Sequence, residues 1–407
     1  MIQVLRNPTY RALFSAQVIA LVGTGLLTVA LGLLAFDLAG DAAGLVLGTA
    51  LTIKMVAYVG VAPLVAALVD RLPKKAVLIG ADLIRLAIAA ILPFVSETWQ
   101  IYALVFVLQS ASATFTPAFQ SLIPSVLPEP NDYTRALALS RLAYDLEALL
   151  SPVIAAALLT LISYSNLFIG TALGFAGSAL LVLIARLPPR SSDAATSTFW
   201  QRLPVGAKVF ARTPSLRFVL FTNIVVAAAT ALVLVNSVVY AKSVLDLDDA
   251  AVAVTLGAYG VGSLLIAVNI PRLVERFGVT RTMTAGVVVV MTGLGLAIGV
   301  TVFTVASGVG WWMVLLTWAA LGAGTSLINT PTSRLLADAS TPANRNLVYT
   351  AQFAASHACF LITYPLAGWI GAISLTAAVG VLAAVAAAGA VGAAFVSRGE
   401  RAAPRIR

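Results

Sequence analysis

Long apolar stretches of this 407-residue chain are interrupted by charge at only a few points. Lys54, Asp82, Arg85, Arg141, Asp145, Glu147 and His357 fall inside them. A charged side chain within an apolar membrane segment costs about 2.5–3.5 kcal/mol on insertion scales, so each is a functional candidate. Asp82 and Arg85 stand three residues apart and pair along one helical face. Arg141 and Asp145, four apart, also share a face. Asp145 and Glu147 are two apart and lie about 200° apart around a helix, in different surroundings. The chemistry these residues support is reversible protonation. Asp145 or Glu147 loads and releases a proton, and Lys54 or Arg141 is the counter-charge, alternately paired and freed. The opposing reading is a static ion pair that only locks helices together. His357 is either a proton relay or ligand, or a helix–helix hydrogen-bond partner. Cys359, two residues on, lies on a different face, so the two form no chelating pair. One histidine and one cysteine exclude a Cys/His zinc site, and no metal or cofactor is expected.

The elements that position these groups follow from composition. Hydrophobic residues make up 60% of the chain and charged residues 10%, with a mean hydropathy of +0.99. A water-soluble surface needs far more charge, so this one faces lipid. The formal net charge of +9 sits in short loops rather than in a patch, which argues against a nucleic-acid partner. Apolar segments occur at roughly 12–36, 44–68, 76–95, 101–123, 139–163, 167–186, 216–241, 250–272, 282–305, 311–335, 346–371 and 373–396. Each is about 20–25 residues, enough to cross a hydrocarbon core near 30 Å as a helix. Arg6 and Arg11 precede the first run, which is too long for a signal peptide and is read as a retained span. Counting from the N-terminal side, 22 of the 25 Lys and Arg residues fall on one face, Lys54 and Arg85 lie within spans, and Lys242 alone lies on the other face. That asymmetry places both termini in the cytoplasm.

The longest connection runs from about Arg186 to Ser215 and contains Pro188-Pro189. Its residues 199–212 mix aromatics with Arg202, Lys208 and Arg212, which predicts a short helix on the membrane surface. On either side of this linker the chain repeats. Pro8 opens the first span and Asp70 follows 62 residues later; Pro214 opens the seventh and Glu275 follows 61 later. Thr116-Pro117 precedes Pro152 by 35 residues, and Thr330-Pro331 precedes Pro365 by 34. Asp145 and His357 take nearly equivalent places in that frame. The predicted fold is therefore an all-α integral membrane protein of twelve helices in two pseudo-symmetric six-helix bundles. Its parts are a first bundle over 1–186, a linker over 187–215, a second bundle over 216–397 and a basic cytoplasmic tail over 398–407. A six-plus-six parallel repeat is the plan of one large class of secondary transporters, with substrate held near the midplane.

The loop Ala66-Ala67-Leu68-Val69-Asp70-Arg71-Leu72-Pro73-Lys74-Lys75 resembles the Gly-x-x-x-Asp-Arg-x-Gly-Arg/Lys-Arg/Lys loop of the major facilitator superfamily, with Ala66 and Pro73 in place of its glycines. The opening Asn7-Pro8-Thr9-Tyr10-Arg11-Ala12-Leu13-Phe14, together with Ala81-Asp82-Leu83-Ile84-Arg85, resembles its drug:proton antiporter branch, which includes macrolide and enterobactin exporters. Glu147-Ala148-Leu149-Leu150-Ser151-Pro152-Val153-Ile154-Ala155-Ala156 resembles that branch's Gly-x-x-x-Gly-Pro-x-x-Gly-Gly motif. Ser151, Ala155 and Ala156 substitute small residues for glycine, and Glu147 departs from it. The resemblance implies a conformational latch at Asp70, Arg71, Lys74 and Lys75, and the repeat adds Glu275 and Arg276.

The expected function is export of a drug- or siderophore-like small molecule by alternating access, in exchange for protons. Its partners are membrane lipid, a small-molecule substrate and protons, with the chain acting as a monomer in the cytoplasmic (inner) membrane. Gln17, Thr28, Tyr58, Gln109, Asn223, Asn236, Tyr259, Trp318, Asn329 and Gln352 are candidates for the cavity lining, and most serve equally well as glue between helices. Efflux of a divalent metal such as nickel or cobalt, or of a metal complex, is an alternative requiring Asp145, Glu147 and His357 to converge. Lipid or lysolipid translocation is another. The chain lacks His-Glu-x-x-His, Gly-x-Ser-x-Gly and a phosphate-binding loop, so neither an intramembrane enzyme nor an ATP-driven pump is expected.

Overall fold

The structure is a computed structural model, and it describes residues 2–61, 72–187, 208–303, 308–340 and 345–402. Apart from the short helix Ile270–Phe277, most of which no expected segment covers, the helices overlap the expected apolar segments. They are α1 (Pro8–Ala39), α2 (Ala43–Val56), α3 (Lys74–Ile91), α4 (Thr98–Val126), α5 (Pro130–Leu159), α6 (Tyr164–Ile184), α7 (Pro214–Val238), α8 (Asp249–Ala267), a short α9 (Ile270–Phe277), α10 (Val279–Phe303), α11 (Gly308–Asp338), α12 (Arg345–Pro365) and α13 (Leu375–Ala402). Among the described residues, ten stretches are long and apolar enough to cross a bilayer. The first, Pro8–Gly60, holds α1 and α2 together; they part at Gly40, whose φ of +52° favours glycine. Among the described residues of α5, Leu150–Leu159 forms a shorter apolar run.

Local chemistry starts and bends these helices. Asn7 caps α1, its Oδ1 accepting from the Tyr10 backbone N–H at 3.0 Å, and Pro8 supplies a first-turn residue that needs no N–H partner. Asp248 caps α8 by accepting from the Ala251 N–H at 2.8 Å. Three spans continue into π-helix: α2 at Ala57–Val61, α7 at Val239–Val244 and α12 at Leu366–Ile370. The last directly follows Pro365, whose missing N–H breaks the regular ladder. Within the predicted linker helix, residues 208–212 are described and helical. Phe210 is buried there with Leu216, Leu336 and Val348.

The chain divides into two compact units, Met1–Ala39 with Val56–Thr196, and Gly40–Met55 with Ser197–Arg407. In the first, the Thr171 hydroxyl of α6 donates to the Gly23 carbonyl of α1 at 2.8 Å. The Tyr10 hydroxyl donates to the Ala136 carbonyl at 3.1 Å, tying α1 to α5. In the second, Leu216 and Val348, both fully buried, hold the matching places on α7 and α12. Most of α2 belongs to this second unit because its glycine face lies directly on α12. Trp369 Nε1 donates to Thr49 Oγ1 at 3.0 Å. A Cβ added to Gly48 would stand 2.7 Å from Gly368 Cα and 2.8 Å from the Tyr364 carbonyl oxygen.

That contact predicts opposite outcomes for two glycines. Gly48→Leu pushes α2 off backbone that cannot yield and destabilises by about 1–3 kcal/mol. Gly80→Ala, with nothing within 4 Å of the added atom, stabilises α3 by up to about 1 kcal/mol. Thermal unfolding of the purified variants in detergent checks the order; a Gly48→Leu midpoint at or above wild type contradicts the packing.

Candidate functional site

One group of polar side chains in the first unit is built on α3. Asp82 and Arg85 are both buried and form an ion pair from Arg85 Nη2 to Asp82 Oδ1. Their three-residue spacing puts them on one face, as the sequence requires. The second carboxylate oxygen, Oδ2, accepts from Ser178 Oγ of α6 at 2.7 Å. Two rings lie against the guanidinium, whose Cζ is 4.4 Å from the centroid of Phe115 of α4 and 4.5 Å from that of Phe175 of α6. Such stacking offsets part of the loss of hydration. Among the described residues, buried Arg85 Nε has no hydrogen-bond partner.

The field of Arg85 reaches two phenols, Tyr58 on the π-helical end of the α2 segment and Tyr144 on α5. Tyr58 in turn interacts electrostatically with Tyr144 and Glu147. The Tyr144 and Thr116 hydroxyls lie 3.4 Å apart. Glu147, half-buried, approaches α1 at Gly25; a Cβ there would stand 2.9 Å from Glu147 Oε1 and collide with Ser151. Ser151 is buried, and among the described residues its hydroxyl has no hydrogen-bond partner. The small residue at 151 thus serves close approach of α5 to α1, with Pro152 and the buried Ala155 continuing the same helix and Ala156 half-buried beside them. The side chains of Arg141 and Asp145 lie outside the described residues, as do Asp70 and Arg71 altogether.

In the second unit, His357 of α12 places Nδ1 at 2.7 Å from the Phe353 carbonyl oxygen. A carbonyl only accepts, so Nδ1 carries the hydrogen, and in the neutral ring Nε2 holds the lone pair. The His357 and Phe353 rings meet at a tilt of 31° with centroids 3.9 Å apart, and Lys54 lies within electrostatic range of His357. Cys359 is buried on another face. Among the described residues, no three His, Cys, Asp or Glu side chains converge to hold a metal ion.

Several cavity candidates turn out to be bonded across helices. Gln17 accepts from Ser140 Oγ at 3.0 Å, joining α1 to α5. Asn223 and Gln352 exchange two hydrogen bonds of 3.1 Å, joining α7 to α12. These pairs hold corresponding places in the repeat. Trp318, fully buried, donates to Ser237 Oγ at 2.7 Å and meets Tyr240 edge-on at 4.9 Å. The Tyr259 hydroxyl lies 3.2 Å from that of Thr230 and 2.9 Å from that of Thr325. Asn236 is buried and donates to the Ala367 carbonyl at 3.4 Å. The Thr28 hydroxyl donates back to the Thr24 carbonyl at 3.0 Å. Gln109 is buried and Asn329 is exposed. Of the latch residues, Lys75 Nζ donates to the Ala185 carbonyl at 3.0 Å, at the C-terminus of α6, where a cation suits the helix dipole. Lys74 opens α3, and Glu275 and Arg276 are exposed on α9, Arg276 lying 5.2 Å from the Phe277 ring centroid.

The family model of the Major Facilitator Superfamily matches residues 13–298 and 220–407. The chain belongs to this superfamily of membrane transporters. It is similar to macrolide efflux protein A of Streptococcus pyogenes, 26% identical over 184 residues, which cover 44% of this chain and 45% of that protein. It is also similar to macrolide efflux protein A of Enterococcus faecalis, 28% identical over 152 residues, covering 35% and 47%. The chain thus spans less than half the length of these curated relatives. A variant of the nucleoside transporter NupG superposes with a TM-score of 0.73 at 16% identity over 95% of this chain and 99% of that one, which shows the fold. Multiple apolar helices within this superfamily make the chain a multi-pass membrane protein. The Asp82–Arg85 pair forms as its spacing predicts. Its i, i+3 spacing was visible in sequence, but Phe115, Phe175 and Ser178, which complete it, carry no signal.

Removing half of this pair strands the other. Asp82→Ala leaves a buried guanidinium uncompensated and costs about 3–5 kcal/mol, whereas the paired exchange Asp82→Leu/Arg85→Met recovers most of that loss. Thermal scans of the detergent-purified variants measure both; equal losses in the single and paired variants contradict the geometry.

Proposed function

We propose that the protein is a secondary active exporter of drug-like small molecules that works by alternating access in exchange for protons. The observation that carries this is Glu147. It is a half-buried carboxylate in an apolar helix, set against Gly25 and Ser151 and within the field of Tyr58. Its segment resembles the antiporter motif, and relatives named for macrolide efflux support the cargo class. Glu147 is the proton carrier in this reading, with Asp145 the alternative acid and Lys54 or Arg141 the counter-charge. His357, with Nε2 as its acceptor, is the candidate relay in the second unit. The chain works as a monomer in the cytoplasmic membrane with both termini inside, as the basic loops indicate. The bundles over 1–186 and 216–397, the linker over 187–215 and the basic tail over 398–407 are its functional parts. Asp70, Arg71, Lys74, Lys75, Glu275 and Arg276 act as the breakable latch between access states.

Expression in a macrolide-susceptible, efflux-deficient bacterium tests this reading. Cellular accumulation of a radiolabelled macrolide falls several-fold, a protonophore abolishes the difference, and Glu147→Gln reduces it by tenfold or more with normal membrane levels. Full activity in both Asp145→Asn and Glu147→Gln overturns the proton assignment. Accumulation unchanged for macrolides and for cationic dyes alike overturns the cargo assignment.

A further inference from the structure

Away from the Asp82–Arg85 pair, the first unit holds a cavity of about 370 Å³. It lies where the 3-10 turn Ile2–Arg6 meets the end of α4 and the start of α5. That volume is within the range of small-ligand sites. Its walls are fastened to one another. Asn7 Nδ2 donates to the Val126 carbonyl at 3.3 Å, tying the entry of α1 to the end of α4. Arg135 Nη1 donates to Asp132 Oδ1 at 3.0 Å and to Gln3 Oε1 at 3.5 Å, tying α5 to the 3-10 turn. Val4, Val126 and Leu127 are buried and make an apolar floor.

Two charges of the lining are left over. Asp132 is neutralised by Arg135. Arg6 and Glu129 line the same cavity from different segments and are both exposed. Among the described residues, neither side chain has a hydrogen bond or an ion pair, so the cavity keeps their opposite charges apart. A simple anion placed there satisfies Arg6 and meets Glu129 with like charge; a simple cation does the reverse. The complementary occupant carries one anion and one cation in the same small group. A phosphate suits the guanidinium, which offers paired N–H donors. A primary ammonium suits Glu129, and its three donors can reach the Gln3 amide oxygen as well.

The place of the cavity selects where such a group comes from. The 3-10 turn precedes the apolar stretch that starts at Pro8, and the apolar stretch of α4 ends at Gln120, before Val126. The cavity therefore lies where the spans leave the hydrocarbon, at the depth of lipid headgroups. We propose that it binds the headgroup of a zwitterionic phospholipid of the phosphoethanolamine type, with phosphate on Arg6 and ammonium on Glu129. Headgroup selectivity follows. A choline headgroup carries methyl groups where ethanolamine carries N–H donors, and a glycerol headgroup has no cation to offer Glu129. The bound lipid splints the 3-10 turn to the joint between α4 and α5. None of this depends on the cargo or on proton exchange.

Native mass spectrometry of the delipidated full-length protein tests the proposal. It is titrated with phosphatidylethanolamine, phosphatidylcholine and phosphatidylglycerol bearing the same acyl chains. One equivalent of phosphatidylethanolamine binds wild type about tenfold more tightly than either other lipid, as expected for one lost charged hydrogen-bonding group. Arg6→Gln and Glu129→Gln each weaken that equivalent by about tenfold. Both side chains are exposed and neither holds the walls together, so both variants fold; the headgroup comparison on wild type needs no variant. Soluble O-phosphoethanolamine, the headgroup without its chains, leaves the bound lipid in place. Its displacement of the lipid makes a free zwitterion the ligand and overturns the lipid assignment. Phosphatidylglycerol binding as tightly as phosphatidylethanolamine, or a loss in Arg6→Gln with none in Glu129→Gln, marks a plain anion site and overturns the zwitterion assignment. Unchanged binding in both variants overturns the site.

Discussion

A lipid bilayer offers no water to a polar group, and this one constraint shapes the molecule at every scale. Backbone N–H and C=O groups must be paired inside the segment that carries them, which leaves helices as the elements. Hydroxyls in the spans meet the same demand by bonding back one turn. Thr24 reaches Ala20, Thr49 reaches Leu45, Thr255 reaches Ala251 and Thr317 reaches Met313. Amides must find each other across helices, as Gln17 finds Ser140 and Asn223 finds Gln352. Charges face the strictest form of the rule. Arg85 meets it with a carboxylate and two aromatic rings.

The two halves satisfy that constraint with one frame and two chemistries. Proline positions, the first residue of α1 and α7, and the cross-helix polar pairs recur at corresponding places. The charges within the spans do not recur. By the offset that relates Pro152 to Pro365, Tyr144 corresponds to His357, so a phenol in one half stands where an imidazole stands in the other. The first half carries a fixed ion pair and a half-buried acid; the second carries hydroxyl and indole networks around Tyr259 and Trp318.

Much of this frame could be read in the sequence because hydropathy and proline spacing are local, one-dimensional signals. The apolar segments, the repeat and the i, i+3 relation of Asp82 to Arg85 need no knowledge of neighbours. The rings around Arg85 do, since Phe115 and Phe175 come from two other helices and look like any apolar residue. The same holds for the amides. Gln17, Asn223 and Gln352 were legible as polar residues in spans, but not that Gln17 would close onto Ser140 or that the other two would pair. The repeat held one unread clue: Gln17 and Asn223 share the offset of Pro8 and Pro214. Nor does periodicity foretell that Gly48 sits against Gly368, a contact set by two glycines more than three hundred residues apart.

Purified protein reconstituted into liposomes with an entrapped pH-sensitive dye tests most directly whether proton movement and cargo movement are one process. With a proton gradient across the membrane, addition of a transported macrolide accelerates proton flux through wild type. Flux stays at the level of empty liposomes in Glu147→Gln. Macrolide movement through wild type that proceeds at the same rate with and without the gradient, and draws no protons, contradicts the account.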